Sequence, residues 1–271
     1  PGGDIGHLCV CGCANDLAVR GASPDFLGIG LIIEEGFPSG ELAEYMESAA
    51  ATCESLGMTL AAGDTKVVPS GAVDGVYFSG SAFGRVHTVH PLSMSNIREG
   101  DSLIVSTSIG RHGAAIAAAR FNLSVDGLES DCAALWPLTK PLLSFEGLRC
   151  MRDCTRGGLG TVLCEWAEST NLHISLDEAS LPVDDRVRSL CDVLGFDPLY
   201  MACEGCIVLA VSADSARGIL DTLRNSPFCA DAAIIGTVTR GEPRGMVSMR
   251  TSIGGERLVD MPFGELLPRI C

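Results

Sequence analysis

The sequence predicts a two-domain protein of mixed α and β structure. Three observations carry that expectation. A chain of 271 residues has room for two domains of ordinary size. A turn-rich stretch, Arg98-Glu99-Gly100-Asp101, stands just before a short apolar strand over 102–106. Beyond it, apolar residues switch repeatedly between strand-like runs and helical spacing, as alternating strands and helices do.

Taken in order, Pro1-Gly2-Gly3 reads as loop, and the absence of a leading methionine suggests a trimmed chain. Residues 41–56 set Leu42, Tyr45, Met46, Ala49, Cys53 and Leu56 on one helical stripe. Ser39 and Gly40 offer its start, and Gly57 stands where a left-handed cap ends a helix. Strand-like runs follow near 58–62 and 76–89. After the 102–106 strand, helices are predicted over 112–121, 158–169, 184–194 and 214–225. Strands are predicted near 172–176, 206–212, 232–238 and 246–251. Gly254, Gly255, Pro262, Gly264 and Pro268 make the end a non-helical tail. The expected boundaries are 1–98, 99–253 and a tail over 254–271.

Composition removes several function classes. With 19 Lys and Arg against 34 Asp and Glu, the net charge is −15. Nucleic-acid binding needs clustered cations to replace counterions, so that class is unsupported. No apolar run reaches the ~20 residues of a membrane span, and no signal peptide is visible. Thirteen cysteines in a chain that is 46% hydrophobic read as reduced core thiols, and a cytoplasmic protein is expected. Cys9-Val10-Cys11-Gly12-Cys13 departs from the C-x-x-C zinc knuckle, and Cys203/Cys206 lack a matching second pair, so no structural metal is expected. Neither a P-loop, a G-x-G-x-x-G fingerprint nor a G-x-S-x-G elbow occurs.

Short polar clusters at the ends of apolar segments remain. In Arg152-Asp153-Cys154-Thr155-Arg156-Gly157-Gly158, a strand feeds through two glycines into a helix. Free amides there suit a phosphate, and Arg156 adds fixed charge. An ordinary strand–turn–helix link capped by Thr155 fits equally well. Asp16, after Asn15, and Asp64, before Thr65, offer hard oxygen ligands for Mg²⁺, although caps and turns use the same residues. Lys66 can neutralise a phosphate or a tail carboxylate. Glu204, in Cys203-Glu204-Gly205-Cys206, stands where a partly buried carboxylate can act as a base, or where a strand-end Glu is merely solvated. The final residue, Cys271, places a thiol at a chain end. Termini fray, so such a thiol can carry a small electrophilic group between sites, if it is more than an incidental last residue.

The segments GGDIG, NDLA, EEGFP, GDTKVVP, HGAA at 112–115, LESDC at 128–132, DCTRGGL, LDEASLPV, GFDPLY and GGERLVDMPFGELLPRIC run in order across nearly the whole chain. Together they resemble the HypE family of hydrogenase-maturation proteins, within the AIR synthase-related (PurM-like) superfamily. The resemblance implies a ferredoxin-like N-terminal domain that dimerises through its sheet and an α/β C-terminal domain, with ATP between them. It implies ATP-dependent dehydration of a carbamoyl group on the terminal sulfur, here Cys271, to a thiocyanate, the source of a cyanide ligand for nickel–iron hydrogenase. Implied partners are a second copy of the chain, the carbamoyltransferase HypF and a HypC–HypD iron scaffold.

By the same resemblance, Asp16 and Asp64 hold Mg²⁺. Asn15, Asp16, Asp64, Thr65, Asp153, Thr155, Arg156, Gly157 and Gly158 belong to the ATP site. Cys271, Glu204, His112 and Lys66 do the chemistry, with Glu204 the preferred base and His112 the alternative.

Three departures stand out. The family's N-E-G-K is Cys203-Glu204-Gly205-Cys206 here, and its D-P-T-R is Asp153-Cys154-Thr155-Arg156. The family's glycine-rich and T-D-S segments are missing ahead of NDLA, so the N-terminal domain is expected to be truncated and this stretch inactive alone. Two other functions fit part of the pattern: a related enzyme that phosphorylates a free small molecule, and a non-catalytic carrier that presents Cys271.

Overall fold

The structure, a computed structural model, describes residues 2–88 and 90–262. It opens on helix α1 (Ile5–Ala18), which the sequence reading missed. Gly6 and Gly12 dilute helical propensity there. Asp4 starts the helix by accepting from the amides of Gly6 (2.8 Å) and His7 (3.0 Å). Gly6 is needed for contact rather than propensity, because a Cβ on it would overlap the Tyr45 carbonyl of α2 (Ser39–Leu56). Helix α2 matches the predicted stripe and ends on Gly57 at φ 65°.

Strands β1 (Phe26–Glu34), β2 (Thr59–Val68) and β3 (Val76–Phe83) form a three-stranded sheet with β1 central. β2 runs parallel to β1 and β3 antiparallel. β1 was not predicted, and β2 extends through the GDTKVV cluster instead of stopping before it. One face of β1, with Leu27, Ile29 and Leu31, packs on Val10 of α1 and on Ala49 and Cys53 of α2. The other face is uncovered: Phe26 is 50%, Ile32 42%, Tyr77 53% and Phe83 66% exposed.

The second sheet has seven strands: β4 (Ser102–Val105), β5 (Leu148–Asp153), β6 (His173–Asp177), β7 (Ile207–Val211), β8 (Ala233–Thr239), β9 (Val247–Arg250) and β10 (Glu256–Val259). Their order is β10-β9-β6-β8-β4-β7-β5. The alternation of strands and helices was read correctly, but only the β6–β9 pair is parallel; the other pairs are antiparallel. Strands β4 and β7 are buried on both faces. Leu103, Val105, Val208 and Ala210 pack against α5 (Gly158–Thr170) through Leu159, Leu163 and Trp166. Ile104, Leu209 and Val211 pack against α7 (Ala213–Arg224) through Ile219, Leu220 and Leu223. Helices α3 (Arg111–Arg120) and α6 (Asp185–Leu194) form a smaller cluster, and α4 (Trp136–Thr139) lies between β4 and β5 in the chain.

Ala18 and Val19, at the end of α1, belong to the α7-side core, so the first helix is anchored in the second domain. The predicted tail from 254 also needs adjustment. Residues 256–259 are strand β10, paired with β9, and Arg257 bridges to Asp197 at 2.7 Å.

Candidate active site

Four carboxyl groups from four separate parts of the chain meet beside the C-terminal end of α1. Asp16 lies on α1, Asp131 in the loop before α4, Asp153 at the end of β5 and Glu204 just before β7. Glu204 is 6% exposed, and burial, reinforced by the charges of Asp131, Asp153 and Asp16, pushes its carboxyl up to about 8. Burial also lifts Asp131 to about 6, although it accepts from the amides of Glu204 (3.1 Å) and Gly205 (3.2 Å). Asp153 is raised by burial and then by Asp16. Asp16, on the rim, is raised by partial desolvation, with Arg152 pulling the other way. The group holds more negative charge than Arg152 offsets, which suits it to hold protons or a hard cation.

Backbone contacts fix this geometry. The Asn15 amide donates to the carbonyls of Ala133 (2.9 Å) and Glu204 (3.2 Å), and its oxygen accepts from the Leu135 amide (2.8 Å). Asn15 is 2% exposed and commits its side chain to this clamp, whereas the sequence reading placed it against ATP. Gly205 admits Asp131, since a Cβ there would overlap the Asp131 carbonyl. Beneath Glu204, Cys154, Cys203 and Cys206 pack together. Cys203 N–H donates to Cys154 O (2.9 Å), Cys154 N–H donates to Cys206 O (3.1 Å), and the Cys206 sulfur is hydrogen-bonded by both other thiols. The three positions that depart from the family pattern therefore form one buried cluster.

Two helices begin at this site. α3 starts at Gly110 and α5 at Gly157, both left-handed glycines, and neither has a side-chain cap. The capping role open to Thr155 is not used; its carbonyl takes the Gly158 amide at 2.9 Å. Gly158, at φ 62°, packs so closely on residues 199–201 that a Cβ would lie 2.6 Å from the carbonyls of Leu199 and Met201. Arg156 is exposed and makes no ion pair among the described residues. His112, on the first turn of α3, is 3% exposed with Nδ1 2.8 Å from Ser130 Oγ. Its Nε2 has no partner among the described residues, and burial draws the imidazole down to about 4, so it is neutral at pH 7.

Asp64, Thr65 and Lys66 stand elsewhere. They lie on exposed β2, where Asp64 pairs in register with Gly30 and Lys66 with Ile32. Asp64 and Lys66 therefore share the uncovered sheet face with Phe26, Ile32, Tyr77 and Phe83. No hydrogen bond or ion pair joins them to the carboxylate group among the described residues. Within one chain Asp16 thus faces Asp153 and Glu204, not its expected partner Asp64. Cys271 lies outside the described residues. Sequence reasoning assigned no role to Asp131; its signal was the LESDC segment, whose carboxylate gains meaning only when the fold brings it under Glu204.

Comparisons agree with this architecture. The family "AIR synthase related protein, N-terminal domain" matches residues 1–86, and "AIR synthase related protein, C-terminal domain" matches 98–247. The carbamoyl dehydratase HypE of Azotobacter vinelandii is 44% identical over 273 residues, covering 100% of this chain and 80% of that protein. The carbamoyl dehydratase HypE of Escherichia coli K12 is 42% identical over 272 residues, with 100% and 80% covered. A crystal structure of the hydrogenase maturation protein HypE superposes with a TM-score of 0.97 at 38% identity, covering 100% of this chain and 87% of that one. HypE in complex with ATP gives 0.96 at 37% identity, with 100% and 82% covered. HypE in a HypE–HypF complex gives 0.92 at 39%, with 97% and 86% covered.

Proposed function

The chain belongs to the HypE family of AIR synthase-related proteins, and from that premise we propose that it is an ATP-dependent carbamoyl dehydratase acting on its own terminal sulfur. The carbamoyl group on Cys271 becomes a thiocyanate, whose cyano group serves hydrogenase maturation. The observation that carries this reading is Glu204. A buried carboxyl near 8, surrounded by three further acids, is tuned to take up and release a proton close to neutral pH.

The chemistry needs two protons removed from the carbamoyl nitrogen and the oxygen made into a leaving group. ATP supplies the phosphoryl group that activates the oxygen, and Mg²⁺ neutralises phosphate charge. The carbamoyl oxygen takes the γ-phosphoryl group as the bond to ADP breaks. The carbon–oxygen bond then breaks, phosphate departs, and a carbon–nitrogen triple bond forms as both N–H protons leave. Glu204 accepts one proton and the departing phosphate can take the other; neutral His112, its imidazole drawn down to about 4, is too weak a base to hold one near pH 7.

The donor set fits the metal. Asp16 and Asp153 are hard oxygen ligands in a site short of positive charge, and Mg²⁺ keeps several waters, so it does not need a closed protein cage. Arg156, Gly157 and the α5 N-terminus would meet phosphate.

The uncovered β-sheet face supports a homodimer, because large apolar side chains there remain exposed in a single chain. Such pairing turns Asp64 and Lys66 toward the second copy, where they can complete a site; Thr65, in register with Leu31, points to the other face of the sheet. A relative crystallised with HypF supports the same carbamoyl donor here, and HypC–HypD is the matching acceptor. The twelve cysteines among the described residues are all free thiols, and no helix there is long and apolar enough to cross a membrane, which fits a cytoplasmic location.

The test is the mass of the C-terminal peptide in the full-length chain, after HypF with its carbamoyl donor and then Mg-ATP. One carbamoyl group gained and one water then lost with ATP is the expected result. A carbamoyl group that persists with ATP would make the chain a carrier. ATP turnover on a free small molecule, unaffected by Cys271→Ala, would make it a different PurM-like enzyme.

A further inference from the structure

Helix α1 directs its cysteines to two sides. Cys9 and Cys13 face β3, where a Cβ on Gly80 would lie 2.9 Å and 2.5 Å from their sulfurs. Cys11, 0% exposed, turns toward the loop that carries Asp131. One helical turn earlier, His7 occupies the same face of α1. Cys132 comes from the loop. Among the described residues, His7, Cys11 and Cys132 are the one group of three His, Cys, Asp or Glu side chains whose ligand atoms all lie within 4.8 Å of one another.

The spacing of the group and the hydrogen bond at His7 Nδ1 favour a metal. Cys11 Sγ lies 3.5 Å from His7 Nε2. Tetrahedral zinc, with bonds of about 2.3 Å to sulfur and about 2.0 Å to nitrogen, sets such ligands roughly 3.5 Å apart. Thr52 Oγ1 donates to the Ser48 carbonyl (2.8 Å), so toward His7 Nδ1, also at 2.8 Å, it can only accept. In the neutral imidazole Nδ1 therefore carries the proton, which leaves Nε2, 3.5 Å from Cys11 Sγ and 3.3 Å from the Cys132 carbonyl oxygen, able to offer its lone pair to a cation beside the two cysteines. This is the outer-shell support that orients histidine ligands in metal sites.

We propose that His7, Cys11 and Cys132 bind one zinc-class divalent cation through Nε2 and two thiolates, tying α1 to the loop that holds Glu204. Each thiol releases its proton to solvent as its sulfur binds, and a water completes the tetrahedron. The nitrogen–sulfur donor set separates this site from the all-oxygen Mg²⁺ site, and the cation has a positioning role. It clamps the loop from Asp131 to Leu135, whose contacts with Asn15, Glu204 and Gly205 fix the carboxylate group.

The test begins with the reduced full-length chain, stripped by chelator and titrated with Co²⁺. One equivalent should produce a thiolate-to-cobalt charge-transfer band that Zn²⁺ abolishes. Cys11→Ser and Cys132→Ser should each cut the band by about half or more, Cys9→Ser and Cys13→Ser should keep it, and Thr52→Val should weaken binding ~10–100-fold. X-ray absorption of the unmutated zinc-loaded chain should show two sulfur neighbours and a nitrogen. This holds even if a cysteine variant fails to fold. A band that keeps its full intensity in Cys11→Ser or Cys132→Ser, or zinc with only oxygen and nitrogen neighbours, would overturn the proposal.

Discussion

Glu204 shows how one residue can couple stability to chemistry. Its carboxyl is raised in the folded chain, so the folded state holds a proton that the unfolded state gives up at an ordinary carboxylate pH. The stabilisation this provides is complete below about 4.5 and is lost as pH rises through about 8. Glu204→Gln removes that dependence. The variant should be more stable than the parent by about 1–3 kcal/mol at pH 8.5, with little difference at pH 4.5. Thermal unfolding at the two pH values checks this. The same variant should lose ATP-dependent dehydration ~10²–10⁴-fold while still accepting the carbamoyl group, read from the mass of the C-terminal peptide. The segment CEGC already marked Glu204 as a candidate base, but its raised pKa was not legible. That shift comes first from burial and then from the charges of Asp131, Asp153 and Asp16, none of them near it in sequence.

At the level of elements, the meeting of α5 with residues 199–204 decides whether Glu204 is held in place. Gly158 has a positive φ and sits against two carbonyls of that segment. Gly158→Ala should therefore cost about 2–4 kcal/mol and depress dehydration. Gly57→Ala should cost only about 1–2 kcal/mol and spare activity, because Gly57 is also left-handed but faces open space. Denaturant unfolding and turnover measured together separate the two cases. The helices with strong stripes, α2, α5, α6 and α7, were readable within a residue or two of their ends. Helix α1 was not, because its buried face includes Gly6 and Asn15 while Leu8, Cys9, Cys13 and Leu17 lie off it, so hydropathy marks no stripe. β1 escaped for a related reason: Gly28 and Gly30 interrupt its apolar run.

For the whole molecule, the open face of the three-stranded sheet is the feature one chain leaves unfinished. Replacing both Phe26 and Phe83 with Glu places charge on that face without touching its buried side. Sedimentation should show the parent as a dimer and this variant at half the mass. If Asp64 and Lys66 complete a site across the interface, dehydration should fall with the dimer. A parent that sediments as a monomer would leave the exposed face without its expected partner.

By itself the sequence determined what is encoded locally. It set the strong helices, the strand–turn–helix at Gly157, the acidic charge and the ordered segments that mark the family. Only the tertiary structure decided which distant residues meet. It gathered Asp16, Asp131, Asp153 and Glu204, moved Asp64 and Lys66 to an outer face, committed Asn15 to a clamp and drew Cys154, Cys203 and Cys206 into one cluster. It also separated Cys11 from Cys9 and Cys13 and joined it to His7 and Cys132. The physical reason is that periodicity and capping act over a few residues, whereas desolvation, charge coupling and ligand geometry depend on neighbours that chain folding brings together from distant parts of the sequence.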